Sequence, residues 1–227
     1  MTDELQKFLA FVSLGADAAQ DGKLSMADTA FQLALRLAQA AQPELGSNPQ
    51  PLLYLHQSLL RQKQGRAEES NQLRNDALGL LDRKTISTQS RGYCYLMADA
   101  LHKLGEYSRA IPFWERTILL TSEATDPTLV ASDLHRLGEC FCRVGLKDHA
   151  AVPLRAALRL MKDFHEDPRR AGLLLTLGNA LRKSAPSEAE ACYKEAAEWY
   201  AARLLYLSAT PAWGNLGILC SELGSSL

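Results

Sequence analysis

The chain has 227 residues at 25.0 kDa, 47% of them hydrophobic, with 25 basic and 26 acidic side chains and a formal net charge of -1. This hydrophobic share excludes a disordered chain, and the charge balance removes any bulk electrostatic reason to bind nucleic acid or an anionic membrane. Five irregularly spaced cysteines exclude a disulfide scaffold, and their odd number points to reduced thiols in a cytoplasmic setting.

The first apolar run, KFLAFVSLGADA at 7–18, imitates a secretory segment, but Asp3 and Glu4 stand where a basic leader belongs, so it reads as a helix. It continues as FVSLGADAAQDG (11–22), with Gly15 inside and Gly22 at its close, and is followed by Ala27, Phe31 and Ala34. Spacings of four and three put that trio on one helical stripe. A first unit of two antiparallel helices, A then B, is predicted over 8–41. The loop QPELGSNPQP (42–51) holds three prolines and is the expected hinge. In the second unit, 51–84, YLHQSLLRQKQG (54–65) carries Ser58 where Gly15 stood, and the B stripe degenerates to Ser70, Arg74 and Ala77.

The third unit, 91–124, pairs CYLMADALHKLG (94–105), with Ala98, to Ala110, Trp114 and Thr117. The fourth, 131–164, pairs LHRLGECFCRVG (134–145), with Gly138, to Ala150, Leu154 and Ala157. The fifth, 171–204, pairs LLTLGNALRKSA (174–185), with Gly178, to Ala189, Tyr193 and Ala196. WGNLGILCSELG (213–224), with Gly217, falls in a half unit at 210–227. The small residues at 15, 58, 98, 138, 178 and 217 are separated by 43, 40, 40, 40 and 39 positions, which is a repeat. TDP (125–127), EDP (166–168) and ATP (209–211) predict A-helix starts, where Asp or Thr caps and Pro fits the first turn. Leu204 to Ser221 lacks charge and nearly matches a bilayer in length, yet Pro211, Gly214, Asn215, Gly217 and Ser221 make it a poor membrane helix.

Chemistry finds little support. Cys140 and Cys142 lie about 200 degrees apart on a helix and cannot chelate one metal together. His135 and Glu139 share a face, but a solvated pair on a repeat helix outweighs an acid–base pair there. RQKQGRAEESNQLR (61–74) alternates charge like a solvated helix. No phosphate loop, zinc motif or nucleophile elbow is present. No enzyme activity, cofactor or metal is expected.

The repeat resembles the tetratricopeptide repeat family, whose unit carries a bulky residue, Leu-Gly and an aromatic on helix A, then Ala, an aromatic and Ala on helix B. WGNLGILC supplies Trp213, Leu216 and Gly217, with Cys220 at the aromatic position; GEYSRAIPFWERTI supplies Gly105, Tyr107, Ala110 and Trp114. The helix A aromatic is replaced by Ala18, Arg61, Leu101 and Leu181 and kept only as Phe141. The 40-residue unit resembles the longer-helix branch found in kinesin light chains and cell-polarity scaffolds. A HEAT-type repeat has the same period without requiring Leu-Gly.

The resemblance implies an all-α, right-handed superhelical solenoid over 1–227, an adaptor whose A helices line a concave groove for a peptide segment of a protein partner. The groove face, one or two positions beside the packing face, carries Tyr95, Asp99, His102, His135, Arg136, Glu139, Arg143, Thr176, Asn179, Arg182 and Asn215. Asn215 precedes Leu-Gly as a groove asparagine does in the kinesin light chain branch, with Arg136 and Thr176 in the same slot. Val12 and Ala16 replace the Lys and Asn with which co-chaperones of the family grip a carboxylate. In the first two units the corresponding face, Leu9, Val12, Ala16, Leu52, Leu55, His56 and Leu59, is apolar and expected to pack.

Arg136, Arg143, Arg182 and Lys183 outnumber Asp99 and Glu139, favouring an acidic or carboxylate-bearing peptide; neither nucleic acid nor membrane is an expected partner. The competing function is self-assembly through apolar terminal helices. Trp213, Leu216 and Cys220 are expected to cover Tyr193, Trp199 and Leu205, leaving Ile218, Leu219 and Leu223 bare. The half unit is then either part of a longer array or one side of a homodimer joined through Trp213–Leu227.

Overall fold

The computed structural model describes residues 3–40, 48–81, 90–121, 126–203 and 206–222. Every regular element among them is an α-helix: α1 (Asp3–Gln20), α2 (Leu24–Ala40), α3 (Gln50–Lys63), α4 (Ala67–Leu80), α5 (Arg91–Lys103), α6 (Tyr107–Leu119), α7 (Pro127–Arg143), α8 (Lys147–Leu160), α9 (Pro168–Leu181), α10 (Pro186–Ala202) and α11 (Tyr206–Glu222). They form two compact units, α1 to α6 within Met1–Leu120 and α7 to α11 within Thr121–Leu227. In each unit an odd-numbered A helix packs against the even-numbered B helix that follows it, and A helices also touch the next A helix. None of the described helices is long and apolar enough to cross a membrane. Most of the expected hinge loop, together with Leu205 and Leu223, lies outside the described residues.

The repeated small residue is the seat of the repeated large one. A Cβ added at Gly15 would stand 2.4 Å from Phe31, one at Gly138 2.5 Å from Leu154, and one at Gly178 2.5 Å from Tyr193. Real Cβ atoms do not approach carbon so closely, so only glycine lets these side chains lie against the A-helix backbone. The flanking small residues Ala27, Ala34, Ala150, Ala157, Ala189 and Ala196 are fully buried and bring the B helix equally close. The second hairpin solves the contact differently. With Arg74 in the large position, Ser58 Oγ instead donates to the Ser70 carbonyl at 2.8 Å, both serines being buried.

Four A helices end in glycines with φ between 75° and 85°, at Gly22, Gly65, Gly105 and Gly145. In the first of these turns Lys23 N donates to Ala18 O and Gly22 N to Ala19 O, the Schellman pattern that only a left-handed residue permits cheaply. At the other end, Asp126 Oδ1 accepts from Thr128 N at 2.8 Å and Asp167 Oδ1 from Arg169 N at 2.9 Å, with Pro127 and Pro168 in the first turn, as their sequence motifs predict. The third motif behaves otherwise. Thr210 and Pro211 lie inside α11, which begins at Tyr206.

The side of α11 that α10 covers also differs from the expected one. Its buried stripe is Ala209, Ala212, Leu216, Leu219 and Cys220, while Trp213 and Ile218 are 50% and 49% exposed. Leu219 is therefore core rather than bare surface, and Trp213 is not the cover expected from the sequence. Gly217 is exposed, with nothing within 4 Å of its missing Cβ. Trp213 and Gly217 share the face that takes the B helix in the other hairpins. Tyr193 is fully buried as expected, but Trp199 is held by the preceding turn, its Nε1 donating to His165 O at 2.7 Å with Arg203 stacked on the ring.

In the first unit most of the apolar A-helix face packs, with Ala16 and Leu59 only partly buried. Leu9, Val12, Leu52, Leu55 and His56 are all buried where α1, α3 and α5 meet. His56 Nε2 finds no hydrogen-bond partner among the described residues, and burial, which outweighs the nearby Asp99 carboxylate, pushes the imidazole down to about 4.

Two stability predictions follow from this packing. Gly138→Ala should destabilise the protein by about 1–3 kcal/mol through overpacking against Leu154, whereas Gly172→Ala, whose Cβ would make only an ordinary 3.8 Å contact with His135, should stabilise it by about 0.5–1 kcal/mol through helix propensity. Urea titrations of both variants check the opposite signs. Because the His56 pKa is lower folded than unfolded, its contribution is complete above about pH 6.5 and is lost as pH falls toward 4, by up to about 3 kcal/mol. His56→Phe should flatten that pH dependence in the same titration; an unchanged slope would assign it elsewhere.

Candidate functional site

In the second unit α7, α9 and α11 lie side by side, and their polar positions form a ladder across the helices. Thr176 Oγ1 on α9 donates its single proton to the Gly172 carbonyl at 3.0 Å. The same hydroxyl shares a hydrogen bond with His135 Nε2, 2.9 Å away on α7. One turn further along α9, Asn179 Oδ1 accepts from two sides: from the Tyr193 hydroxyl at 2.9 Å and from Asn215 Nδ2 on α11 at 3.0 Å. Burial pushes the Tyr193 phenol up to about 12, so it remains a donor at neutral pH.

These contacts fix the orientation of both amides. Asn179 keeps its Nδ2 donors and Asn215 its Oδ1 acceptor for a partner outside the chain, since no other contact of theirs is made among the described residues. The charged positions are already occupied within the protein. Arg136 Nη1 meets Glu139 at 3.0 Å and Arg182 Nε meets Glu222 at 3.4 Å, while Arg143 stands exposed in the last turn of α7.

Thus six of the residues singled out in the sequence, His135, Thr176, Asn179, Asn215, Arg136 and Glu139, are brought into direct pairs. Tyr95 and Asp99 belong to the first unit. Tyr95 is exposed and meets Trp114 edge-on at 5.7 Å, and Asp99 pairs with Lys103 at 2.7 Å. Two contributors escaped sequence reasoning. Tyr193 counted only as a core ring, although it alone among Phe31, Trp114, Leu154 and Tyr193 carries a hydroxyl, and Glu222 had no visible link to Arg182.

Cys140 is buried, and burial raises the thiol of half-buried Cys142. No group of three metal-ligating side chains occurs among the described residues.

No family model matches the chain, and no curated protein is similar to it in sequence. Solved structures are similar in fold. YrrB, described as a TPR protein with an unusual peptide-binding site, is 17% identical with a TM-score of 0.53 over 88% of this chain and 90% of its own. The TPR-like repeats of a putative kinesin light chain from Podosopora anserina give 13% identity and a TM-score of 0.58, over 90% of this chain and 99% of theirs. The fold is that of the tetratricopeptide repeat. The apo form of RapI is also similar, at 15% identity and a TM-score of 0.51, this chain spanning 65% of that protein. In the TPR register, the Leu-Gly seats and the Ala-large-Ala stripes are the packing positions, and the ladder lies on the adjacent face of the A helices.

Proposed function

We propose that the protein is a TPR interaction scaffold whose second unit binds an extended peptide segment along α7, α9 and α11. The observation that carries this reading is the Asn179–Asn215 pair. One amide offers a donor and the next an acceptor, which is the complement of a peptide group with its carbonyl and N–H. Because Tyr193 pins Asn179 from beneath, the pair is pre-oriented, and little side-chain freedom is lost on binding. Arg136 and Arg182 already have carboxylate partners, so main-chain hydrogen bonding rather than bulk charge governs recognition. Tyr95 and Asp99 offer the corresponding A-helix face in the first unit.

A second reading, self-association, is favoured by one observation on α11. Gly217 is an empty seat of the kind that holds Phe31, Leu154 or Tyr193 elsewhere, and exposed Trp213 lies four residues away on the same helix.

Peptides selected from a displayed random library against the whole chain test the first reading. Asn179→Ala and Asn215→Ala should each weaken a selected peptide about tenfold, as expected for loss of a hydrogen bond to a buried main-chain group, with unchanged helicity. Undiminished binding in both would remove the site from this face. For the second reading, light scattering at tens of micromolar should give a dimer that dissociates in Trp213→Ala and in Ile218→Lys, substitutions that spare the buried Leu219. A monomeric parent chain rejects it.

A further inference from the structure

One glycine of α9 is demanded by neither a turn nor close packing. A methyl group at Gly172 would meet only His135 Cε1, at an ordinary 3.8 Å, yet glycine inside a helix is less stable than alanine. Beside it lies a cleft of about 240 Å³ between α7 and α9. Its floor is apolar, built by Ala131, Met161 and Leu173, each at most 1% exposed. Its rim is polar, with His135, Arg136 and Arg169. Arg169 is clamped by both oxygens of Asp167, and its Nη1 lies 3.4 Å from Ser132 Oγ. Arg136 is held by Glu139. Both guanidinium charges are therefore balanced, so the cleft calls for no counter-charge, while each group retains N–H donors for a carbonyl oxygen. Gly172, Thr176 and Asn179 follow at spacings of four and three, which places the cleft on the same stripe as the ladder.

We propose that this cleft is an anchor pocket that takes one large uncharged apolar side chain, of leucine type, from an extended peptide segment whose main-chain carbonyls accept from Arg136 and Arg169. The assignment rests on the peptide-binding reading and adds the chemistry of the residue that anchors it. An apolar floor excludes a charged side chain, which would be desolvated there without a partner. A rim of fixed donors selects a main-chain carbonyl over a second apolar group. Glycine at 172 keeps the entrance open.

The test is an NMR titration of the isotope-labelled full chain with three probes: the N-acetyl, N-methylamide derivatives of leucine, alanine and aspartate. The leucine compound should shift the Gly172 and Ser132 amides saturably in the millimolar range, and the other two should bind at least about fivefold more weakly. Gly172→Ala should raise the melting temperature yet weaken the leucine compound about threefold, because its methyl group narrows the cleft. Gly172→Leu should abolish the shifts by filling it. Equal binding of the alanine compound, preference for the aspartate compound, or an unchanged response in Gly172→Ala would overturn the pocket. If library-selected peptides depend on Asn179 and Asn215 but are indifferent to Gly172→Leu, the pocket fails while the groove stands. If the leucine compound fills the cleft and no peptide uses the asparagines, the groove reading alone fails.

Discussion

The contact on which the hairpins depend is that between a large side chain of a B helix and the bare backbone of the A helix before it. Where the seat is glycine, Phe31, Leu154 and Tyr193 lie so close that even a methyl group would displace them. Such contact buries an entire large side chain against one neighbour, and the gain of about 1.5–3 kcal/mol for each is joined by dispersion along the helix backbone. The alanines on either side then determine how near the two helices run. The polar ladder of the second unit is a by-product of that geometry, since the A helices are left with their adjoining face free of the B helices.

Much of this architecture was legible because packing of this kind writes a periodic pattern. Glycine or alanine recurring about every 40 residues, answered about 16 positions later by Phe, Trp, Leu or Tyr, admits few explanations besides a helical hairpin. The end of the pattern was harder to read. The motif ATP at 209–211 looks like a helix start, yet α11 begins at Tyr206, and its packing on α10 brings Leu219 inward and leaves Trp213 outward. A cap motif records only what the local chain can do. Whether the preceding residues also find a packed surface is decided by the neighbour, here α10.

The candidate site was legible by position and less so by partnership. Offsetting the packing register by one or two residues singled out His135, Thr176, Asn179 and Asn215, because a helix face is fixed by periodicity alone. Which of these would hydrogen-bond depended on the side-by-side placement of A helices, a distance of some 40 residues in sequence. The charge count carried no pairing for the same reason. Arg136 and Arg182 read as free cations in a list, whereas Glu139 and Glu222 already answer them in space. Gly172 went unremarked because a single glycine in a helix has no periodic partner to announce it.

The spacing of seats and large residues has a kinetic consequence. Gly15 and Phe31, Gly138 and Leu154, and Gly178 and Tyr193 are each 15 or 16 positions apart, joined through a tight turn between two helices. Closing a loop of that length costs little chain entropy, and the two helices of each hairpin are in direct contact. Each hairpin can therefore collapse as soon as its own two helices have been synthesised, before its neighbours exist. The second hairpin is the exception, since Ser58 and Ser70 offer a hydrogen bond instead of an apolar knob and Arg74 adds little to collapse. Its closing contact is polar, so the apolar collapse that draws the other hairpins together is there replaced by a hydrogen bond between two serines.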